Sequence, residues 1–308
     1  MTDDGALAGR VLCSVGGIYD VEIDGETVEC TVRGRLKQEK GIGRVAVGDE
    51  VKLEKMPDGG HVISAVLPRS ARLSRRSADG RREQVIAANV DQLGGVVSVA
   101  RPEPIYSLLD RLLVLAESNG IAAFVVVNKV DLSGEEGARG LFQVYEEIGY
   151  DVLYTSAKHG RGVEGLRDRL AGHITLLVGA SGVGKSSLLN ALQPGLGLRV
   201  GEVSRALERG RHTTVAAALH RLDVGGHVVD TPGLGKLRFW ETSEADLAHC
   251  FREFGLYLGE CKFDNCLHVH EPDCGILRAV DHGDISAQRY ESYRKILEER
   301  ASERSGRW

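Results

Sequence analysis

A glycine-rich segment at residues 179–186 has the residue types and spacing needed to hold the phosphates of a nucleotide. It reads G-A-S-G-V-G-K-S, follows a short apolar stretch, and precedes a predicted helix that begins near Lys185. In such a loop, backbone N–H groups wrap the α- and β-phosphates, the lysine reaches the β- and γ-phosphate oxygens, and the serine hydroxyl ligates Mg²⁺. We therefore predict that Lys185 contacts the phosphates and that Ser186 binds Mg²⁺. The loop alone does not separate ATP from GTP.

A second motif supplies the means to recognise the base. It consists of Asn128, Lys129, Val130 and Asp131, and it is joined after the next predicted strand by Ser156, Ala157 and Lys158. A carboxylate at Asp131 can accept two hydrogen bonds from the N1–H and N2–H₂ edge of guanine, whereas adenine offers no such pair of donors. We expect Asn128 to fix the loop and the purine, the Lys129 stem to lie along the ring face, and the Ala157 N–H to bond guanine O6. The combination predicts a guanine nucleotide.

A third motif, Asp230-Thr231-Pro232-Gly233, follows the predicted strand 227–229. We expect Asp230 to bind Mg²⁺ through water and the Gly233 N–H to sense the γ-phosphate. Between the phosphate loop and this motif, residues 195–214 have the pattern of a loop that the γ-phosphate and Mg²⁺ could order. Either Thr213 or Thr214 would supply the second hydroxyl ligand, and the sequence leaves open which of them does.

The position that would activate water carries an unusual residue. Many GTPases have a glutamine after the third motif to orient the attacking water, but here the residue is Leu234, which cannot do so. His212, directly before Thr213 and Thr214, is the candidate to assist hydrolysis, although it could equally be an ordinary loop histidine. Slow intrinsic turnover that awaits a partner is the expected consequence.

The order of the motifs predicts a circularly permuted GTPase domain, because the phosphate loop leads and the base motifs trail in an ordinary GTPase. The candidate nucleotide-binding residues are Asn128, Lys129, Val130, Asp131, Ser156, Ala157, Lys158, Gly179, Ala180, Ser181, Gly182, Val183, Gly184, Lys185, Ser186, Ser187 and Asp230. The candidate catalytic residues are Lys185, His212, Thr213, Thr214 and Gly233, and the candidate Mg²⁺ ligands are Ser186 and Asp230.

Three cysteines and a histidine crowd one short stretch near the C-terminus, namely Cys261, Cys266, His268 and Cys274. Three thiolates and one imidazole form a complete tetrahedral shell for zinc, with no ligand position left open for catalysis. His270 could replace His268, and Cys250 is a more distant alternative. We expect one structural zinc ion that holds a small domain together.

The N-terminal part of the chain has the pattern of a small β-barrel. Five β-branched stretches are separated by turn residues, at 10–15, 18–23, 27–33, 50–56 and 61–67. They predict a barrel of the oligonucleotide/oligosaccharide-binding (OB) type, with a structural β-module that binds no ligand as the alternative. Six arginines then follow within residues 68–83. We expect a polar linker here, which either contacts phosphates or serves as a solvated connector.

Strands and helices alternate after this linker and predict a parallel α/β sheet. Strands are predicted at 96–99, 121–127, 152–154 and 174–178, and helices at 105–119, 135–148 and 163–170. A final helix is predicted at 285–303, with Tyr290, Tyr293 and Leu297 on one face. The predicted domains are an all-β OB-type barrel (1–68), an Arg-rich linker (69–84), a permuted α/β P-loop GTPase domain (85–240) and a small helical zinc-binding domain (241–308).

The composition is that of an ordinary soluble globular protein, with 308 residues, of which 42% are hydrophobic and 27% charged. A net charge of −5 argues against a generic nucleic-acid coat, because neutralising phosphates needs clustered Lys and Arg. No apolar run approaches the roughly 18 to 20 residues that span a bilayer, and the acidic N-terminus has no hydrophobic segment behind it. We expect a cytoplasmic protein.

The full set of motifs resembles that of the ribosome small-subunit-dependent GTPase A (RsgA) family over essentially the whole chain. Besides the segments above, the resemblance includes Gly201-Glu202-Val203-Ser204 and residues 210–214. It implies an OB domain, a permuted GTPase domain and a zinc domain in a protein that binds the small ribosomal subunit and its rRNA late in assembly. It also implies ribosome-stimulated GTP hydrolysis, with a hydrophobic residue at Leu234 and a histidine at His212 that assists catalysis. One departure is Val215, where relatives often carry a third threonine, and it favours Thr213 or Thr214 as the Mg²⁺ ligand.

Two other functions compete with this interpretation. A nucleotide-gated RNA-binding module with negligible hydrolysis is favoured by Leu234 and the barrel, whereas an ATP-using P-loop kinase or ATPase is disfavoured by Asp131. The prediction is a monomeric GTPase that uses Mg²⁺ to hydrolyse GTP to GDP and phosphate. It carries one zinc ion, assists the small ribosomal subunit and contacts no membrane.

Overall fold

The structure, a computed structural model, describes residues 7–34, 45–57, 59–76, 83–196, 217–230 and 243–305. The chain divides into two units, each assembled from separate stretches of sequence. The first comprises residues 1–92, 164–177 and 189–240, and the second comprises residues 93–163, 178–188 and 241–308. The helices among the described residues are too short or too polar to span a bilayer.

The first unit begins with a closed five-stranded barrel. Its strands are β1 (Leu7–Val15), β2 (Ile18–Ile23), β3 (Glu26–Val32), β4 (Glu50–Lys55) and β5 (His61–Val66). They follow the order β1-β2-β3-β5-β4, and pairing of β1 with β4 closes the barrel. Only β3 and β5 pair in parallel among these strands. Alternate residues point inward and form the core, in which Val11, Val21, Leu53 and Ile63 are fully buried. The predicted OB-type barrel is confirmed.

The stretch predicted as a polar linker contains regular structure instead. Strand β6 (Arg72–Arg76) pairs in antiparallel fashion with β7 (Glu83–Ala88) to form a two-stranded sheet. Leu73 and Ala87 are fully buried, and Ser74 is buried beside Leu73, where the register of the two strands shifts. Arg69 is not free to meet a phosphate, since its guanidinium holds the buried Asp49 carboxylate through bonds of 2.6 and 2.8 Å.

Three further strands of the first unit extend the sheet beyond the barrel. They are β11 (Ile174–Val178), which follows helix α3 (Val163–Leu170), β12 (Ala218–Arg221) and β13 (His227–Asp230). Strand β13 pairs in parallel with β11 and in antiparallel fashion with β12. Strand β12 in turn pairs with β1 of the barrel, with Cys13 opposite Ala218. One sheet therefore runs from the barrel to β13.

The second unit contains the other half of the α/β pattern. Strands β8 (Gln92–Ser98), β9 (Ala122–Asn128) and β10 (Asp151–Tyr154) are neighbours in that order, and β9 and β10 are parallel. Helices α1 (Tyr106–Ser118) and α2 (Gly134–Glu147) connect them, and each is followed by a glycine with positive φ, as predicted. Strand β8 is buried along its whole length, which is usual for a central strand whose two faces are both covered. Helix α4 (Lys185–Leu192) follows the glycine-rich segment.

The C-terminal residues of the second unit form α5 (Glu244–Leu247), α6 (Gly275–His282) and α7 (Ala287–Ser305), with short 3₁₀ turns between α5 and α6. Helix α7 matches the predicted final helix. Of the three residues predicted to share one face, Tyr293 and Leu297 are buried and Tyr290 is half-buried. The largest fully buried side chain of α7 is Arg289, and the sequence pattern does not predict its burial.

Candidate nucleotide and metal sites

The phosphate loop has a backbone that only glycine can adopt at several positions. Gly182 and Gly184 have φ angles of +81° and +100°, which L side chains rarely adopt. A Cβ on Gly179 would lie 2.0 Å from the Val96 carbonyl oxygen, and one on Gly184 would lie 2.3 Å from the Asn128 side-chain nitrogen. The segment thus forms a tight turn from the end of β11 into α4, which begins at Lys185 as predicted.

The Lys185 side chain bonds to the backbone of the loop itself. The Lys185 ammonium donates to the carbonyl oxygens of Gly179 and Ala180 at 2.8 and 2.9 Å. Ser186 is buried in the first turn of α4, Ser187 is half-buried beside it, and Ser181 is exposed at the tip of the loop. A cation within the curve of the loop, at a helix N-terminus, is an arrangement that binds phosphate.

The base motif packs directly against the phosphate loop. The Asn128 side-chain amide donates to the Val183 carbonyl oxygen at 2.9 Å, and the Lys129 ammonium donates to the Gly182 carbonyl oxygen at 2.7 Å. Lys129 also donates to the carbonyl oxygen of Arg101. From the sequence we expect the Lys129 stem to lie along the purine ring. The sequence does not predict that Lys129 also joins the base motif to the phosphate loop.

The loop of Ser156, Ala157 and Lys158 completes the base motif. Thr155 and Ala157 donate to the Asn128 side-chain oxygen, each at 3.2 Å, so the Ala157 N–H that we assign to guanine O6 is bonded within the protein. Lys158 is exposed, and Val130, which donates its N–H to the Thr155 carbonyl oxygen at 3.1 Å, is fully buried.

The carboxylate predicted to read guanine is held ionised. The Ser156 hydroxyl donates to Asp131 Oδ1, and this hydrogen bond is the main reason why the pKa of Asp131 is lowered. An ionised carboxylate only accepts hydrogen bonds, as recognition of two guanine donors requires. His159 Nε2 lies 3.9 Å from Asp131 Oδ2, a neighbour that sequence reasoning missed although it follows Lys158 directly.

The third motif is described only in part. Asp230 ends β13 and pairs with Ala218. The structure describes the backbone of Asp230 but not its side chain. His212, Thr213, Thr214, Gly233 and Leu234 also lie outside them.

The predicted zinc ligands come together within the second unit. Their ligand atoms all lie within 4.8 Å of one another. Cys261 Sγ is 3.8 Å from Cys274 Sγ and 3.5 Å from His268 Nδ1, and His268 Nδ1 is 3.4 Å from Cys274 Sγ. Tetrahedral zinc with bonds of about 2.3 Å to sulfur and about 2.0–2.1 Å to nitrogen places sulfurs about 3.8 Å apart and sulfur and nitrogen about 3.6 Å apart. The cluster therefore fits zinc.

Hydrogen bonds from several directions shape the zinc loop. The Glu271 carboxylate accepts from the backbone N–H groups of Leu267, Val269 and His270; burial raises its pKa, but these bonds outweigh burial and lower it to about 2. Tyr290 and Tyr293 of α7 donate to the carbonyl oxygens of His268 and Leu267, both at 2.8 Å.

The two alternative zinc ligands lie outside the cluster. His270 is exposed, and Cys250 is buried with its thiol donating to the Asp246 carbonyl oxygen. Burial raises the pKa of Cys266 to about 12 and raises the pKa of Cys274 as well, so a metal ion must displace their protons to bind.

Comparison with known proteins agrees with this architecture. Residues 66–240 match the model of the RsgA GTPase family, and residues 8–63 match that of the RsgA N-terminal domain. The protein from Gemmatimonas aurantiaca named small ribosomal subunit biogenesis GTPase RsgA is 44% identical over 301 residues, which cover 96% of this chain and 97% of the relative. The protein of the same name from Thermotoga maritima is 43% identical over 281 residues, which cover 90% of each chain.

Solved structures extend the similarity to three dimensions. The crystal structure of YjeQ from Thermotoga maritima aligns with a TM-score of 0.79 and 38% identity, covering 96% of this chain and 98% of that one. The structure of YloQ, described as a circularly permuted GTPase, aligns with a TM-score of 0.73 and 29% identity, covering 96% and 95% of the two chains. This chain belongs to the RsgA family of circularly permuted GTPases.

Proposed function

We propose that this GTPase binds the small ribosomal subunit and its rRNA and assists late maturation of that subunit. It would hydrolyse GTP to GDP and phosphate, with turnover stimulated by the subunit. The observation that carries the proposal is the 44% identity, across nearly the whole chain, to a protein named small ribosomal subunit biogenesis GTPase RsgA. A protein with this task works where ribosomal subunits are, which is the cytoplasm, and we propose that it acts as a monomer.

The nucleotide-binding roles follow from the loops of the second unit. Phosphate oxygens would replace the loop carbonyls as partners of the Lys185 ammonium, because an anionic oxygen is the stronger acceptor. Backbone N–H groups of residues 179–187 would surround the phosphates, and Asp131 would accept the two guanine donors. The contacts of Asn128 and Lys129 with Val183 and Gly182 support this proposal, since they hold the base-reading and phosphate-binding loops together.

The magnesium and hydrolysis roles rest on the sequence motifs. Ser186 and Asp230 would bind Mg²⁺, with Thr213 or Thr214 as the further hydroxyl ligand, and the Gly233 N–H would contact the γ-phosphate. Mg²⁺ would neutralise charge that develops on the phosphates during hydrolysis. His212 would assist attack by water in place of the glutamine that is absent at Leu234.

The regions that flank the GTPase domain would bind the small ribosomal subunit. The barrel (1–68) and the arginine-bearing segment (69–84) precede the GTPase domain (85–240), and the zinc domain (241–308) follows it. OB barrels bind oligonucleotides, which supports contact with rRNA. Cys261, Cys266, His268 and Cys274 would hold one zinc ion that stabilises the last domain.

Phosphate release measured with and without purified small subunits tests the proposal. We expect slow hydrolysis by the protein alone and acceleration of at least about tenfold at saturating small subunits, because a partner must complete a site without the usual glutamine. Large subunits serve as the control and should leave the rate unchanged. No acceleration at any concentration of small subunits would refute the proposal, and RNA binding without hydrolysis would instead support the nucleotide-gated RNA-binding alternative.

A further inference from the structure

A buried contact joins the barrel to the strand that ends in Asp230. His227, the first residue of β13, donates from Nε2 to the Glu22 carboxylate of β2 at 2.8 Å. His227 is 6% exposed, and the Glu22 side chain is 14% exposed. Arg221 of β12 holds the other Glu22 oxygen at 3.1 Å and also donates to the Gly25 carbonyl oxygen at 3.2 Å. Strands β2, β12 and β13 thus meet at one carboxylate.

The hydrogen bond between Glu22 and His227 determines which imidazole nitrogen carries the proton. A carboxylate only accepts hydrogen bonds, so the Glu22 contact fixes the imidazole with its proton on Nε2. Nδ1 of His227 is buried and has no hydrogen-bond partner among the described residues. A buried nitrogen without a partner costs free energy, and a core could fill the same space with an apolar residue. The cost indicates that the contact with Glu22 serves a purpose beyond filling space.

The opposite end of β13 is held to the barrel as well. Asp230 pairs with Ala218 of β12, and Ala218 pairs on its other side with Cys13 of β1. These three residues form one row across adjacent strands, so Asp230 lies two strand spacings, or roughly 10 Å, from the barrel backbone. The barrel therefore constrains β13 at both ends, through side chains at His227 and through the backbone ladder at Asp230.

We propose that Glu22 and His227 are positioning residues for GTP hydrolysis, because their contact fixes β13 against the barrel and thereby sets the place of Asp230. The proposal rests on the proposed function in one respect, the binding of Mg²⁺ by Asp230. It makes the barrel part of the scaffold of the hydrolytic site in addition to an RNA-binding module. Displacing a metal-binding carboxylate by a fraction of an ångström is enough to slow a reaction.

Hydrolysis measured without ribosomal subunits tests the inference. The variants H227A and E22A remove the contact, whereas H227Q keeps a donor near the position of Nε2. For H227A and E22A we expect kcat to fall by about fivefold or more and the Mg²⁺ concentration for half-maximal rate to rise by about threefold or more. The KM for GTP should stay within about twofold, because Lys185 and Asp131 are unchanged. H227Q should recover most of the wild-type kcat.

A matched control comes from the same barrel. Glu54 forms an exposed ion pair with Arg33, so E54A removes a carboxylate without touching β13 and should leave kcat and the Mg²⁺ dependence unchanged. Rates are compared well below the lowest unfolding temperature of the set, and E22M, which has a similar length but cannot accept the hydrogen bond from His227, replaces E22A if that variant does not fold.

The outcomes separate the inference from the proposed function. Wild-type kcat and Mg²⁺ dependence in H227A and in the Glu22 variant would overturn the inference, and so would an H227Q variant as impaired as H227A. Failure of small subunits to accelerate the wild type would refute the proposed function, while the ratio of variant to wild-type rates without subunits would still decide the inference.

Discussion

Replacing Arg289 with Met should destabilise the second unit strongly, whereas replacing the exposed Arg294 of the same helix should not. The Arg289 guanidinium is fully buried and donates to Asp110 of α1 at 2.6 Å and to Glu253 at 2.7 and 3.1 Å. It also lies over the Phe251 ring, 4.7 Å from the ring centroid. Burial disfavours the charged guanidinium, but the two carboxylates outweigh this effect and raise its pKa. The cation therefore holds α1, α7 and the segment before the zinc loop together.

The magnitude follows from what R289M would leave behind. Methionine fills a similar volume but leaves two buried carboxylates without their cation, and breaking a buried ion pair in this way costs about 3–5 kcal/mol. At roughly 2–4 °C per kcal/mol for a unit of this size, the unfolding temperature should fall by roughly 6–20 °C. Because Tyr290 and Tyr293 of the same helix bond the zinc loop, the variant should also lose zinc to a chelator faster than the wild type.

Differential scanning calorimetry of the zinc-loaded protein measures this shift. The control is R294M on the same helix, since the Arg294 side chain is 42% exposed and its ion pairs with described residues are to the exposed Glu291 and Glu298. It should cost less than about 0.5 kcal/mol. An R289M unfolding temperature within 2–3 °C of that of R294M, roughly the effect of 1 kcal/mol, would refute the reasoning.

Three further predictions concern the base site, the metal and pH. D131N should weaken GTP binding by roughly a hundredfold, through the loss of charge-assisted bonds, and should improve binding of xanthosine triphosphate; unchanged GTP affinity in a fluorescence titration would contradict the assignment. C266S should abolish zinc binding measured by metal analysis and lower the unfolding temperature, yet leave GTP affinity unchanged. Burial lowers the pKa of His227 below its ordinary 6.5, so the folded protein binds fewer protons than the unfolded chain. The free energy of unfolding of the protein should therefore fall as the pH drops below about 6.5, and it should fall less in H227Q. If urea titrations give the wild type and H227Q the same dependence of this free energy on pH, the reasoning is contradicted.

The sequence predicts most elements of this fold because burial follows the period of each element. Strand β4 and the end of β3 alternate buried with more exposed residues, and helix α7 places Tyr293 and Leu297 on one face. The exceptions have a common cause. Charged residues hide the pattern of β6, where Leu73 is fully buried. They also hide the role of Arg289, whose partners Asp110 and Glu253 are distant in sequence.

In the candidate sites too, the sequence predicts what depends on local spacing and misses what depends on tertiary structure. Local spacing predicts the phosphate loop and the zinc cluster, because backbone conformation within a short segment brings those residues together. It does not separate His268 from His270, which depends on how Glu271 folds the zinc loop. Contacts between loops, such as Lys129 with Gly182, depend on tertiary structure and leave no local signal.

The pairing of the barrel with β12 has a physical reason, which is that it covers an edge of the sheet. Strand β12 has only four residues, and without the barrel one side of it would be an open sheet edge, where unpaired N–H and C=O groups invite association with other chains. Pairing of Cys13 with Ala218 covers that edge with β1. The strand that protects the GTPase sheet is thus the strand that links it to the barrel, so a change in barrel position should reach β12 and, through the ladder, Asp230 of β13. A barrel attached by a flexible tether would leave that edge of β12 open and could not transmit a displacement to β13.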